Sequence, residues 1–141
     1  MKILGSCHCG NIKYEFSSRV NQSELVYRDC ACGFCSKHGA IYTSDSAGAL
    51  VVEVRDPSMV SHYRFATKVV DFVFCATCGI MPLAKISIDD QWYGVINVRT
   101  SDIDLDSIKI TKLKTAAESP EEALERRRNA WTPISRMRGL I

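Results

Sequence analysis

No stretch of about 18 apolar residues occurs in the chain, so nothing in it has the length and apolarity of a membrane-crossing helix. The opening residues, MKILGSCHCG, lack the long apolar segment of a secretory signal. The expectation is a reducing, cytoplasmic setting, where cysteine clusters bind metal or do chemistry rather than form disulfides. Internal repeats and low-complexity tracts are missing, which removes solenoids and linkers from consideration. Charge of one sign is scarce: the formal net charge is +2, too small to argue for nucleic acid by itself. Cysteine is plentiful at seven residues, yet below the density of roughly 8–10% that marks small disulfide scaffolds. An odd number also forbids complete internal pairing.

What remains is an ordinary globular composition, 46% hydrophobic and 24% charged, in 141 residues. That is enough for one compact domain, 1–141, and not comfortably for two. The first hundred residues read as short strands between turns. Ile12, Tyr14 and Phe16 alternate with polar residues in the period of a half-buried strand. Leu50 to Val54, Val69 to Phe74, Ile80 to Ile88 and Trp92 to Val98 are further strand candidates, with Pro82 making an irregular entry to its segment. Asp102 to Ser107 reads as a turn or one helical turn, and Ile108 to Leu113 as a last strand. Ser119-Pro120-Glu121-Glu122 then starts a helix: Ser at the N-cap, Pro at the first position, Glu at the third. Glu122 and Arg126 have the spacing of an i,i+4 pair, and the helix should fade near Asn129 because Pro133 disfavours helix before it. The expectation is a mainly β, mostly antiparallel fold with a late C-terminal helix and tail, about 119–141, at an edge.

Every cysteine belongs to a group. Cys7 and Cys9 form C-x-C; Cys30, Cys32 and Cys35 form C-x-C-x-x-C; Cys75 and Cys78 form C-x-x-C. Close pairs on turns suit zinc, because two thiolates converge on one ion at about 2.3 Å. Gly10, Gly33 and Gly79 each follow the second cysteine of a group, where a tight metal-binding turn needs the positive φ that glycine tolerates. A closed structural site takes four ligands and a catalytic one keeps three plus an exchangeable place, and seven divides as four and three. Spacing does not say which pairs join. Nor does it say whether the triplet is open or takes His38 as a fourth, closing ligand.

Together, G-x-C-x-C-G-x-I-x-Y (Gly5 to Tyr14), C-x-C-x-x-C and F-C-x-x-C-G (Phe74 to Gly79) resemble the glutathione-dependent formaldehyde-activating (GFA) family, which also contains centromere protein V. The resemblance covers roughly Gly5 to Val98 and all seven cysteines. It implies a β-tent of stacked antiparallel sheets, a structural zinc on Cys7, Cys9, Cys75 and Cys78, and a catalytic zinc on Cys30, Cys32 and Cys35. It also implies a carbon–sulfur lyase joining a small-molecule thiol such as glutathione to an aldehyde such as formaldehyde, or running in reverse from S-hydroxymethylglutathione. Where the family often has His between the first two cysteines of the triplet, this chain has Ala31.

Zinc acidifies a coordinating thiol. A centre of three thiolates carries net charge −1, which favours capture of a thiol over activation of a carbonyl. Lys37 and His38 follow the triplet directly. A cation or N–H donor there would stabilise an oxyanion or screen the thiolates, and the alternative is a solvated loop. His38 is thus ligand, acid–base group or plain surface residue. His8 should point outward, His62 sits in a strand-like segment, and Asp29 has no assigned role. Five arginines (Arg126, Arg127, Arg128, Arg136 and Arg138) and no acid occupy the stretch from Arg126 onward. They are read as cations suited to a helix C-terminus plus a solvated tail, with phosphate binding or a grip on the carboxylates of a glutathione-like peptide as alternatives. The competing function is a non-catalytic, zinc-stabilised β module that binds a protein or nucleic-acid partner.

Overall fold

In a computed structural model that describes residues 1–114 and 117–140, eleven short strands and two helices follow one another. They are β1 (Lys2–Ser6), β2 (Ile12–Ser17), β3 (Tyr27–Cys30), α1 (Gly33–His38), β4 (Ile41–Thr43), β5 (Ala49–Val54) and β6 (Val60–Tyr63). Then come β7 (Asp71–Cys75), β8 (Leu83–Ile88), β9 (Gln91–Asn97), β10 (Ile110–Leu113), α2 (Pro120–Ala130) and β11 (Thr132–Arg138). The expected mainly β, open-sheet architecture with a late helix is what the chain adopts. Its named pairings are antiparallel except β3 with β10 and β5 with β11.

The alternation in β2 puts Ile12, Tyr14 and Phe16 inside while Lys13 and Glu15 face out, and β2 pairs with β1 on one side and β5 on the other. This first sheet continues into the second through β11. Near its start β11 pairs antiparallel with β9, Thr132 opposite Gly94. After an irregularity between Ile134 and Arg136 it runs parallel to β5. Along its other edge β9 pairs with β8 over its whole length, and β8 leads to β7 and β6. β4 also pairs with β9 and leads to β3 and β10.

Two apolar layers result. Ile3, Ile12, Phe16, Leu50 and Val52 of the first sheet pack against Leu83 and Ile96 of the second. On the opposite face of the second sheet, Tyr42, Phe72, Ala84, Ile86 and Val95 pack with Cys35 and Trp131, and Leu124 and Ala130 of α2 lie against them. β9 serves both layers, since Val95 and Ile96 point to opposite faces. Each large side chain so buried contributes roughly 1.5–3 kcal/mol.

The sequence reading needs three corrections here. The stretch after α2, expected as a solvated tail, is an interior strand; Ile141, its last residue, lies outside the described residues. The helix starts as expected, with Glu122 N–H donating to Ser119 Oγ and Ser119 N–H to Glu122 Oε1, both at 3.1 Å. That capping box occupies Glu122, so Arg126 pairs with Glu118 instead, at 2.8 Å. Finally, Gly33 opens α1 without a positive φ; the left-handed glycine of that region is Gly39 (φ 75°), which ends the helix.

One polar group interrupts the apolar strands. Lys85 on β8 has no solvent exposure; its Nζ donates to Asp71 Oδ2 at 2.8 Å and lies 3.8 Å from the centre of the Trp92 ring. Arg64 also donates to Asp71, and His62 on β6 stands 3.9 Å from the same carboxylate.

Candidate metal centres

The turn after β1 carries Cys7 and Cys9, and the turn after β7 carries Cys75 and Cys78. Both turns are shaped by their own backbone. Cys7 N–H donates to Ile12 O (2.9 Å), and Ile12 N–H returns to Cys7 Sγ (3.3 Å). Cys75 N–H donates to Ile80 O (2.9 Å), and Gly79 N–H to Cys75 O (2.8 Å). Gly10 (φ 82°) and Gly79 (φ 79°) hold the left-handed conformation that closes each turn. The four sulfurs meet within 4.8 Å of one another, with Cys7 to Cys9 at 3.7 Å and Cys9 to Cys75 at 3.5 Å. A tetrahedral zinc with bonds of about 2.3 Å sets its sulfurs about 3.8 Å apart, so this donor set fits that ion. Burial alone would push Cys78 up, but the N–H groups of Cys9 and Ile80 outweigh it and bring the thiol down to about 6. Cys9 goes the other way, to about 11: the Asn11 N–H favours its thiolate, while the hydrogen bond to Cys75 and burial oppose it.

The second group forms where β3 runs into α1. Cys30 ends the strand, Cys32 caps the helix, and Cys35 is buried one turn on. Cys35 N–H donates to Cys32 Sγ at 3.3 Å, which holds two sulfurs on one side of a single helical turn. The three sulfurs again lie within 4.8 Å of one another, and among the described residues no fourth Cys, His, Asp or Glu joins them. Cys30 is pulled down to about 5, first by its hydrogen bond with Cys35 and also by the charge of Arg126, against the opposing effect of burial. Cys35 is pushed up by that same bond with Cys30 and by burial, and is eased by the Tyr42 hydroxyl 3.5 Å away.

The triplet opens on a cavity of about 230 Å³. Its lining mixes apolar side chains, Phe65, Val70, Phe72, Val95 and Trp131, with the three arginines Arg28, Arg126 and Arg127, and the Arg127 guanidinium lies 5.8 Å from the centre of the Trp131 ring. Thus the structure brings Arg126 and Arg127 beside the triplet, whereas Arg128 pairs with Glu125 and Asp89, and Arg136 stands near Glu53.

The other residues singled out from sequence are placed elsewhere. His38 is exposed, does not line the cavity, and packs its ring against Phe34 and Phe74. Lys37 and His8 are exposed. Asp29 pairs with Lys112 at 2.9 Å. Tyr42, Arg28 and Trp131 escaped sequence reasoning: Tyr42 arrives by pairing opposite Arg28, Trp131 by closing α2 far along the chain, and Arg28, two residues before Cys30, carries no motif of its own.

The profile of the family described as glutathione-dependent formaldehyde-activating enzyme matches residues 2–118. The chain belongs to the GFA family. A crystal structure of a Rhodobacter sphaeroides protein is similar to this GFA chain at 27% identity and a TM-score of 0.56, over 77% of this chain and 99% of that one. No curated protein matches it. The GFA match stops at residue 118, so α2 and β11, with Arg126, Arg127 and Trp131 on the cavity wall, lie beyond it. Two cysteine clusters compatible with zinc sit in this GFA protein, and among the described residues no helix is long and apolar enough to cross a membrane.

Proposed function

We propose that the protein is a zinc-dependent carbon–sulfur lyase that joins a small-molecule thiol to an aldehyde, or cleaves the adduct, with S-hydroxymethylglutathione as the reference compound. The observation that carries this reading is the cavity at the triplet: three sulfurs close enough to share an ion face open space instead of a fourth protein ligand. Cys7, Cys9, Cys75 and Cys78 would hold a structural zinc, and Cys30, Cys32 and Cys35 a second one. When bound there, zinc supplies acidification of an incoming thiol and a place for its sulfur.

The chain's own residues do the rest. Cys32 and Cys35 are fixed relative to each other by the helical turn, and the Tyr42 hydroxyl, 3.5 Å from the Cys35 sulfur, would donate to its thiolate. The apolar lining excludes water and lets two small reactants meet at close range, which supplies the part of the acceleration that a weakly acidic ion does not. In the forward direction a carbon–sulfur bond forms as the carbonyl π bond breaks. The π pair goes to oxygen, which takes the proton the thiol gave up. The reverse direction returns that proton to sulfur. His38, expected as a catalytic group from its place after the triplet, is exposed and does not line the cavity, and the scheme proposed gives it no part.

The test is hemithioacetal exchange between glutathione and formaldehyde, followed by NMR with zinc-loaded protein against the spontaneous rate. Acceleration that disappears in Cys32→Ser is the expected result. No acceleration by protein carrying two zinc ions would end the lyase reading and leave the zinc-stabilised binding module in its place.

A further inference from the structure

Three guanidinium groups line one small cavity, and only one of them has a counter-charge of its own. Arg126 is paired with Glu118. Among the described residues, no carboxylate lies within salt-bridge distance of Arg28 or Arg127. Arg127 Nε is shielded from solvent and has no hydrogen-bond partner among the described residues. Arg28 is held in place from behind: it donates to Ser44 Oγ, and Ser44 in turn donates to the Ala130 carbonyl at the end of α2, at 2.7 Å. Both side chains line the cavity among Phe65, Phe72 and Trp131, and both are at least partly withdrawn from solvent. Keeping two cations in such a place is costly unless an anion joins them.

The triplet supplies some negative charge, but not enough. Three thiolates around a divalent ion leave a single negative charge. Arg28 and Arg127 bring two positive ones, so one cation remains uncompensated in a cavity lined also by Phe65, Phe72 and Trp131.

We infer that the cavity binds a small amphiphilic monocarboxylate, its carboxylate gripped by Arg127 and Arg28 and its apolar body laid against Phe65, Phe72 and Trp131. The inference deepens the proposed function and rests on it only in making this acid one of the two reactants; the anion grip itself needs no turnover. Planar guanidinium forks match the two oxygens of a carboxylate. Arg127 and Trp131 come from the segment beyond residue 118, so part of this specificity lies outside the family match, while Arg28, Phe65 and Phe72 lie within it.

The experiment is calorimetric titration of zinc-loaded protein with a pair of probes lacking a thiol, 3-phenylpropionate and its neutral amide. The carboxylate should bind about tenfold or more tightly than the amide, the usual worth of a charge-assisted hydrogen bond. Arg127→Gln and Arg28→Gln should each remove most of that preference and leave the amide unchanged, while Arg127→Lys should keep part of it. Equal binding of the two probes by wild type would overturn the inference without any variant, so a misfolded mutant does not shield it. Carboxylate affinity unchanged in Arg127→Gln, the result expected of coordination to the metal alone, would overturn it too. Inorganic phosphate competing as well as 3-phenylpropionate would remove the apolar half of the claim. Binding as described, with no acceleration of hemithioacetal exchange, would sink the lyase reading and leave the anion site standing.

Discussion

The hydroxyl of Tyr42 stands 3.5 Å from the sulfur of Cys35. Burial pushes the phenol well above its ordinary value, so it stays protonated and is able to donate to a Cys35 thiolate. Burial and the bond with Cys30 both oppose that ionisation in the absence of such help. A donor of this kind fixes the direction of a ligand and stabilises its thiolate. Tyr42→Phe keeps the ring and removes only that donor. It should weaken zinc at the triplet by about tenfold or more, read by competition with a chelator, while the four-cysteine cluster keeps its ion. Equal affinity in the variant would show the contact to be incidental.

The four-cysteine cluster joins the turn between β1 and β2 to the turn between β7 and β8, and so ties the two sheets together. The triplet lies within six residues and ties nothing distant. Cys75→Ser should therefore prevent folding, because structural zinc contributes to folding directly. Cys32→Ser should fold and carry one zinc ion fewer. Circular dichroism and metal analysis of the two proteins distinguish the outcomes, and a Cys75→Ser protein as stable as wild type would show that the clusters are not assigned as proposed.

Asp71 is almost wholly buried and faces Lys85 and Arg64. Burial alone would raise its carboxyl, but the bonds from Arg64 and Lys85 prevail and lower it below 3.8. A lowered carboxyl contributes stability that is present above its unfolded value and is lost as pH falls through the folded one. Removing the carboxylate leaves Lys85 buried without a partner, so Asp71→Asn should cost about 3 kcal/mol near neutrality. The gap between the two proteins in urea melts should stay constant from pH 7 to about pH 5 and close as pH falls below the ordinary carboxylate value. Acid release of zinc affects both proteins and cancels in the difference. A gap that persisted undiminished at pH 3 would contradict the ion pair.

Tyr14 lies across Gly5, its partner in the β1–β2 register, so close that a Cβ at Gly5 would collide with the ring. The phenol reaches on to the Asn97 carbonyl at 3.3 Å. Gly5→Val should destabilise by about 1–3 kcal/mol through overpacking, measured by thermal or urea unfolding. Gly5→Val in a Tyr14→Ala background should cost much less, since the clash is then gone.

That pair also shows what the sequence could tell. Gly5, Cys7, Cys9 and Tyr14 stand in one short motif because the β1–β2 turn brings them together locally, and the alternation in β2 reports burial on one face. Ser119, Pro120 and Glu122 announce the start of α2 by backbone chemistry that needs no distant partner. β11 gave no such signal. Thr132–Arg138 holds two arginines and a proline, and only pairing with β5 and β9 makes it a strand. α1 is too short for a helical period and depends on the Cys32 cap and on Gly39. The cavity was hidden for a related reason: Tyr42 meets Arg28 through sheet register and Arg127 arrives on α2, and neither spacing nor composition encodes that convergence. Lys85 is another case, since only the β7–β8 register sets Asp71 opposite it.

The position of β11 bears on how the protein is made. Its residues come after every cysteine in the sequence, yet they seal the seam between the two sheets. Until they emerge, the edges of β5 and β9 stay bare and the cavity lacks a wall. A nascent chain that has reached residue 118 holds every cysteine and still has no finished site, so thiols bound for the metal must wait, reduced and unprotected, until α2 and β11 have been made.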